Sequence, residues 1–178
     1  QVTGGSGFDT LDYSMAANGM KVDLSQHTAV GMGNDTVNGI EKVIGSDFAD
    51  SFVGDSHDNV FVGGAGDDVM RGAKGNDILS GGDGNDTFVW TKADAYSTKL
   101  QTGWVDHVTD FQAGDKLELS GFLKAGADVA SMVRVTDGVD GSTVSVKFGG
   151  SFHDVVVLDG VHDMTANDMM KAGMLLVA

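Results

Sequence analysis

Five positions at a fixed interval concentrate the chemistry of this chain. Asp50, Asn59, Asp68, Asp77 and Asp86 recur every nine residues, and each is followed two positions later by a large apolar side chain: Phe52, Phe61, Met70, Leu79 and Phe88. Three copies run without a gap, Gly63 to Arg71, Gly72 to Ser80 and Gly81 to Val89, and in them glycine holds the first and fourth positions throughout. Two looser copies, Gly45 to Val53 and Gly54 to Val62, precede them, and a sixth match, GGSGFDTLD, stands apart at Gly4 to Asp12. Short carboxylates beside glycine-rich turns bring side-chain oxygens and backbone carbonyls together, and a donor set made only of oxygen suits a hard cation.

The elements that position these groups follow from the period. Nine is odd, so on successive strands the apolar residue must turn inward from opposite walls. The result is a flattened right-handed coil with one short strand per nine residues and a full turn per eighteen. Stacking then sets Asp68 beside Asp86, Asp50 beside Asp68, and Asn59 beside Asp77. Like charges that close raise one another's pKa values or open the coil unless a cation neutralises them. The absence of cysteine and of any histidine cluster excludes zinc and copper. Loose carbonyl-rich coordination fits calcium better than octahedral magnesium.

The nine-residue unit resembles G-G-x-G-x-D-x-U-x, the calcium-binding repeat of RTX (repeats-in-toxin) proteins. The resemblance implies an all-β fold, a right-handed parallel β-roll followed by a capping β-sandwich-like segment with a short C-terminal helix. It also implies two or more Ca2+ ions, each lying between turns n and n+2. One turn supplies the carbonyls of its second and fourth residues, the other those of its first and third, and both supply the sixth-position side chain. On this chain the best site uses Gly64, Gly66 and Asp68 with Gly81, Asp83 and Asp86. A second uses Ser46, Phe48 and Asp50 with Gly63, Ala65 and Asp68. A third uses Asp55, His57 and Asn59 with Gly72, Lys74 and Asp77, and is weaker because Asn59 replaces a carboxylate. Phe48, His57 and Lys74 would act through the backbone alone. Ala73 departs from the pattern, standing where the second glycine belongs.

Composition supports the same class. Among 178 residues, 26 acidic and 11 basic side chains give a net charge of −15, and 24 of the acids are Asp. Such a chain, with its lysines and arginines scattered singly, is a poor partner for nucleic acid. No apolar run approaches the length of a transmembrane segment. Proline and cysteine are both absent, which removes slow X-Pro isomerisation and disulfides. The chain starts at Gln1 with no basic-then-apolar leader, as expected of a piece of a longer protein.

Three regions follow: irregular N-terminal rungs over 1–44, the roll over 45–90, and a C-terminal cap over 91–178. Met20 to Leu24 and Ile40 to Ile44 look like strands around an excursion, with Asp9 and Asp35 as further candidate ligands or plain turn residues. Beyond Trp90, the run Trp104 to Ser120 resembles the segment after the roll in serralysin-type proteases and other type I secretion substrates. Val133 to Thr136, Thr143 to Phe148 and Asp154 to Leu158 read as strands, the first two joined through Asp137-Gly138 and Asp140-Gly141. Thr165 to Asp168 opens a short helix ending near Gly173, and Met174 to Ala178 forms either a closing strand or part of an export signal.

The enzyme motifs H-E-x-x-H and G-x-S-x-G are missing. Ser56-His57-Asp58 has the letters of a triad on neighbours that face opposite ways, and Asp106 with Asp110 reads as turn-capping or calcium-holding rather than catalytic. The expected function is therefore a non-catalytic, calcium-folded C-terminal module of a larger secreted protein, carrying the signal for a type I secretion exporter of a Gram-negative bacterium. The alternative is a module that binds a surface or glycan ligand through Trp90, Tyr96 and Trp104, whose other role would be packing where roll meets cap.

Overall fold

The computed structural model describes residues 1–94, 104–119, 121–123 and 128–176. Its strands are β1 (Val2–Thr3), β2 (Thr10–Asp12), β3 (Lys21–Asp23), β4 (Thr28–Val30), β5 (Asn34–Asn38), β6 (Lys42–Ile44), β7 (Ser51–Val53), β8 (Val60–Ala65), β9 (Val69–Arg71), β10 (Ile78–Asp83), β11 (Thr87–Val89), β12 (Asp106–Val108), β13 (Lys116–Glu118), β14 (Val133–Asp137), β15 (Gly141–Phe148), β16 (Ser151–Asp159) and β17 (Leu175–Leu176). Two helices, α1 (Val129–Met132) and α2 (Ala166–Lys171), complete the described elements.

From β5 to β13 successive strands alternate between two sheets. One runs β1-β5-β4-β3-β7-β9-β11-β13-β17 and the other β14-β15-β16-β12-β10-β8-β6-β2. From β7 to β13 every pairing is parallel, which makes this part of the molecule a parallel β-roll. The in-register partners form two apolar columns. In one sheet Val22, Phe52, Met70, Phe88, Leu117 and Leu175 stand side by side. Opposite them run Leu11, Val43, Phe61, Leu79, Val108 and Leu158. All twelve are buried. Phe52 and Phe61 meet across the core with ring centroids 5.5 Å apart, a favourable tilted contact. The odd period thus produces the two facing walls.

Strand pairing outlasts the sequence period at both ends. β12 pairs in parallel with β10, and β13 with β11, although Trp90 ends the glycine-rich copies. At the other end β2 and β6 continue one sheet, while β3, β4 and β5 pair antiparallel in the other. β4 and β5 form the excursion from the coil, and Asp35 lies within β5.

The C-terminal strands extend the existing sheets. β14, β15 and β16 pair antiparallel, and β16 joins β12 in parallel, so the hairpins prolong one sheet of the roll. The turn between β14 and β15 is closed by the Gly138 N–H donating to the Gly141 carbonyl at 2.8 Å. Thr165 caps α2 through a reciprocal pair with Asp168, satisfying two otherwise orphaned N-terminal donors. Gly173 follows at φ 72° and the chain returns as β17 to close the other sheet against β13. The short helix α1 has no signal in the apolar pattern. Among the described residues no helix is long and apolar enough to cross a membrane.

Candidate metal centres

Each sixth-position side chain is buried at the mouth of its turn: Asp50, Asn59, Asp68, Asp77 and Asp86 all lie inside. The reason is a hydrogen bond between turns. The Asp68 carboxylate accepts the Asp50 N–H at 2.7 Å, Asp86 accepts that of Asp68 at 2.9 Å, and Asp77 accepts that of Asn59 at 2.7 Å. Each bond spans 18 residues, one turn of the coil. One carboxylate oxygen, Oδ1, is used in this way.

The second oxygen has no partner. Oδ2 of Asp68, Asp77 and Asp86 is buried and accepts no hydrogen bond among the described residues. It sits directly over the first glycine of its own rung. A Cβ built on Gly63 would lie 2.0 Å from Asp68 Oδ2, one on Gly72 2.2 Å from Asp77 Oδ2, and one on Gly81 2.0 Å from Asp86 Oδ2. Glycine is needed at this first position for room. At the second position it is needed for its backbone: Gly64 has φ 114° and Gly82 φ 94°, and Ala73, in the same place, is held at φ 78°, a left-handed conformation that costs a side-chain-bearing residue energy.

Carbonyl groups stack from turn to turn, and that of Gly81 shares the Gly63 site with Asp68 Oδ2. Gly64 O lies 2.1 Å from the Cβ position of Gly82, Gly66 O 2.0 Å from that of Gly84, and Gly81 O 2.5 Å from that of Gly63. The Gly66 N–H donates to Asp83 O at 2.8 Å. The first set of predicted residues, Gly64, Gly66 and Asp68 with Gly81, Asp83 and Asp86, therefore lies on two stacked turns that between them hold two unpartnered carboxylate oxygens.

The second set is more self-satisfied. Asp50 Oδ2 accepts the Ser46 N–H at 2.6 Å, and its Oδ1 accepts the Met20 N–H. Ser46 O accepts from Ala65 N–H at 3.2 Å, and Phe48 O from the Ser46 hydroxyl at 3.2 Å. Here the free oxygen comes from Asp68, above Gly63. In the third set Asn59 Oδ1 accepts the Asp55 N–H at 3.0 Å, and its Nδ2 is buried without a partner. Asp55 O accepts from Lys74 N–H at 3.2 Å. His57 O lies 2.6 Å from the Cβ position of Gly75. Asp77 Oδ2, above Gly72, supplies the free carboxylate oxygen. His57 is exposed and turns its ring to Asp55 at 3.1 Å, so Ser56-His57-Asp58 forms no relay.

Burial makes these carboxylates hard to ionise. It raises Asp68 to about 7, with Asp50 and Asp86 adding repulsion. Asp77 rises to about 8 through burial and the nearby Asp106, and Asp86 to about 6 through burial with Asp115 and Asp110 beside it. A bound cation would remove that penalty. Among the described residues no three acidic or imidazole side chains converge. A cation here must be held by two carboxylates and backbone carbonyls, all of them hard oxygen donors of the kind calcium takes.

Two groups taking the same position escaped the period. Asp106 accepts the Asp77 N–H at 2.9 Å and Asp115 the Asp86 N–H at 3.0 Å, each across 29 residues. Burial holds Asp106 up at about 6 and raises Asp115 as well. Their signal was present: Asp106-x-Val108 and Asp115-x-Leu117 keep the acid-any-apolar triplet, nine residues apart. Both oxygens of Asp106 are engaged, Oδ2 by the Trp90 indole at 2.6 Å. Asp110 caps a turn, accepting from Ser80, Gly81 and Gly82. Trp90 is buried and packs at the join. Trp104 is partly exposed, and Tyr96 lies outside the described residues. Asp9 keeps an Oδ2 that is buried and unpartnered among the described residues, whereas Asp35 meets the N-terminal amine at 3.2 Å.

Residues 35–70 and 53–88 match the family model of the RTX calcium-binding nonapeptide repeat (4 copies). No curated protein shows significant sequence similarity to the chain. Among solved structures, the AlgE6R2 subunit of the Azotobacter vinelandii mannuronan C5-epimerase is 24% identical, with 77% of this chain and 92% of that one aligned at a TM-score of 0.52. That likeness bears on the fold. The extracellular lipase LipA of Serratia marcescens is 19% identical over 99% of this chain and 34% of its own, at a TM-score of 0.44. The AlgE6R3 subunit of the Azotobacter epimerase is 25% identical over 74% of this chain and 80% of that one, at 0.33. Residues 35–88 are RTX calcium-binding nonapeptide repeats, which bind several Ca2+ ions, and they fold here within a parallel β-roll.

Proposed function

We propose that this chain is a non-catalytic, calcium-folded module of a larger secreted protein. In this reading Ca2+ lies between turns n and n+2, held by Gly64, Gly66 and Asp68 with Gly81, Asp83 and Asp86. Further ions occupy the set Ser46, Phe48, Asp50, Gly63, Ala65 and Asp68 and the set Asp55, His57, Asn59, Gly72, Lys74 and Asp77. The observation that carries the proposal is the row of buried, unpartnered Oδ2 atoms on Asp68, Asp77 and Asp86. Such groups are rare in native interiors, since each forfeits its hydration with nothing in return. Calcium supplies the missing positive charge and joins successive turns. The protein's own part is to hold the oxygens in place through the inter-turn N–H bonds and to keep water out with the apolar columns.

A fold that waits for calcium suits a protein exported unfolded into a calcium-rich medium. Residues 91–178 would then serve as cap and as the signal read by a type I exporter. Circular dichroism tests the first part: adding about millimolar calcium, the range of extracellular modules, should convert a chelated, largely unfolded chain to a β spectrum. An unchanged spectrum refutes it. For the second part, export of a reporter fused to residues 91–178 should be lost when the last turn of the cap is trimmed; continued export would remove the signal from this region.

A further inference from the structure

The bonds between sixth-position groups all point one way. Asp50 accepts from Met20, Asp68 from Asp50, Asp86 from Asp68 and Asp115 from Asp86, while Asp77 accepts from Asn59 and Asp106 from Asp77. At the N-terminal end Glu41 does the same for the Asp9 N–H, at 2.8 Å. In every case the side chain of a later turn accepts the N–H of an earlier one. Asp9 heads its column, and its carboxylate has no donor among the described residues, although Oδ2 is buried.

The strand beside Asp9 is equally unfinished. β2 is the last strand of its sheet. Asp9 O and Tyr13 N–H are spent on β6, so alternation turns the N–H and C=O groups of Thr10 and Asp12 outward. The flanking Phe8 and Met15 are 62% and 93% exposed. A bare edge with exposed apolar neighbours is a template for another strand.

We propose that the β2 edge docks one further strand in parallel: a nine-residue turn-and-strand segment of the polypeptide outside residues 1–178, entering with a backbone N–H on Asp9. The proposal rests on the chain being a module of a larger protein. Direction follows from Asp9, which precedes β2 as every sixth-position acceptor precedes its strand; only a parallel neighbour brings its N–H to that end. A second copy does not fit, because a twofold contact would set β2 antiparallel to β2. Period agrees too. Val2 in β1 and Leu11 in β2 are nine residues apart, so a segment continuing that rhythm upstream of β1 arrives at the β2 edge.

The test uses the intact chain in calcium and a fluorescein-labelled synthetic peptide reproducing residues 54–71, one full turn of the roll. Saturable 1:1 binding by anisotropy is expected, weakened at least tenfold by Asp9→Ala and by Thr10→Pro, which removes an outward N–H. Absence of saturable binding, or binding undiminished in both variants, overturns the proposal. So does a dimer in light scattering that Asp9→Ala abolishes. Circular dichroism on the same samples separates the two failures: without the calcium reading the fold itself is missing, whereas without this one a folded chain binds no peptide.

Discussion

At the scale of single residues, the chain sets acidic side chains where water cannot reach them and leaves one oxygen of Asp68, Asp77 and Asp86 idle. Proton and calcium then compete for the same atoms. Asp68, Asp77 and Asp86 have folded-state values of about 7, 8 and 6 against 3.8 for an ordinary aspartate. Because the folded values are raised, the metal-free roll should be most stable below about pH 4 and lose that stability as pH climbs through the folded values. Chelated samples are accordingly expected to show more β signal near pH 5 than near pH 8. With calcium present the order reverses, and the calcium midpoint should rise as pH is lowered from about 8 to about 6; a midpoint independent of pH would contradict the assignment of these carboxylates as ligands. Asp68→Asn should weaken two sites at once, because Asp68 stands between Asp50 and Asp86, and isothermal titration should show fewer ions bound. Asn59→Asp should tighten the third site and raise the ion count or affinity.

At the scale of elements, two facing columns of apolar side chains join the strands, and they were legible in the nine-residue rhythm. Phe52, Phe61, Met70, Leu79 and Phe88 could be placed from spacing alone because an odd period admits one arrangement of inward faces. The first-position glycines were legible as glycines but not for the right reason at every place: Gly81 is demanded by the Asp86 oxygen of its own rung folding back over it, a contact that backbone propensity does not encode. Gly81→Ala should cost on the order of 2–4 kcal/mol and displace Asp86, visible as a lower melting temperature and a lost ion. Phe61→Ala, deep in the core, should cost about 3–5 kcal/mol in calcium-saturated denaturation, with little change in the number of ions. Asp106 was legible only as a turn-capping or calcium-holding acid, and Asp115 not at all, because the spacing between stacked acceptors widens from 18 to 29 residues; the excursion after Met20 to Leu24 was legible, but its strands β4 and β5 were not, because their alternation is weak. The third predicted site was visible as a set of positions, yet the orphaned Asn59 amide shows only once turns are stacked.

At the scale of the whole molecule, two sheets run from β2 and β1 to β14 and β17, and the C-terminal strands finish what the repeats begin. Removing residues 133–176 strips β16 from β12 and β17 from β13, exposing Val108 and Leu117 at the open end. The truncated chain should need more calcium to fold and should aggregate, as size-exclusion chromatography would reveal; a monomer with an unaltered calcium midpoint would show the cap to be dispensable. The one-way inter-turn bonds have a further consequence for how the coil comes into being. Each sixth-position amide is satisfied by a side chain lying closer to the C-terminus, so a chain whose tail has not yet emerged leaves those buried donors without acceptors until the later turns arrive.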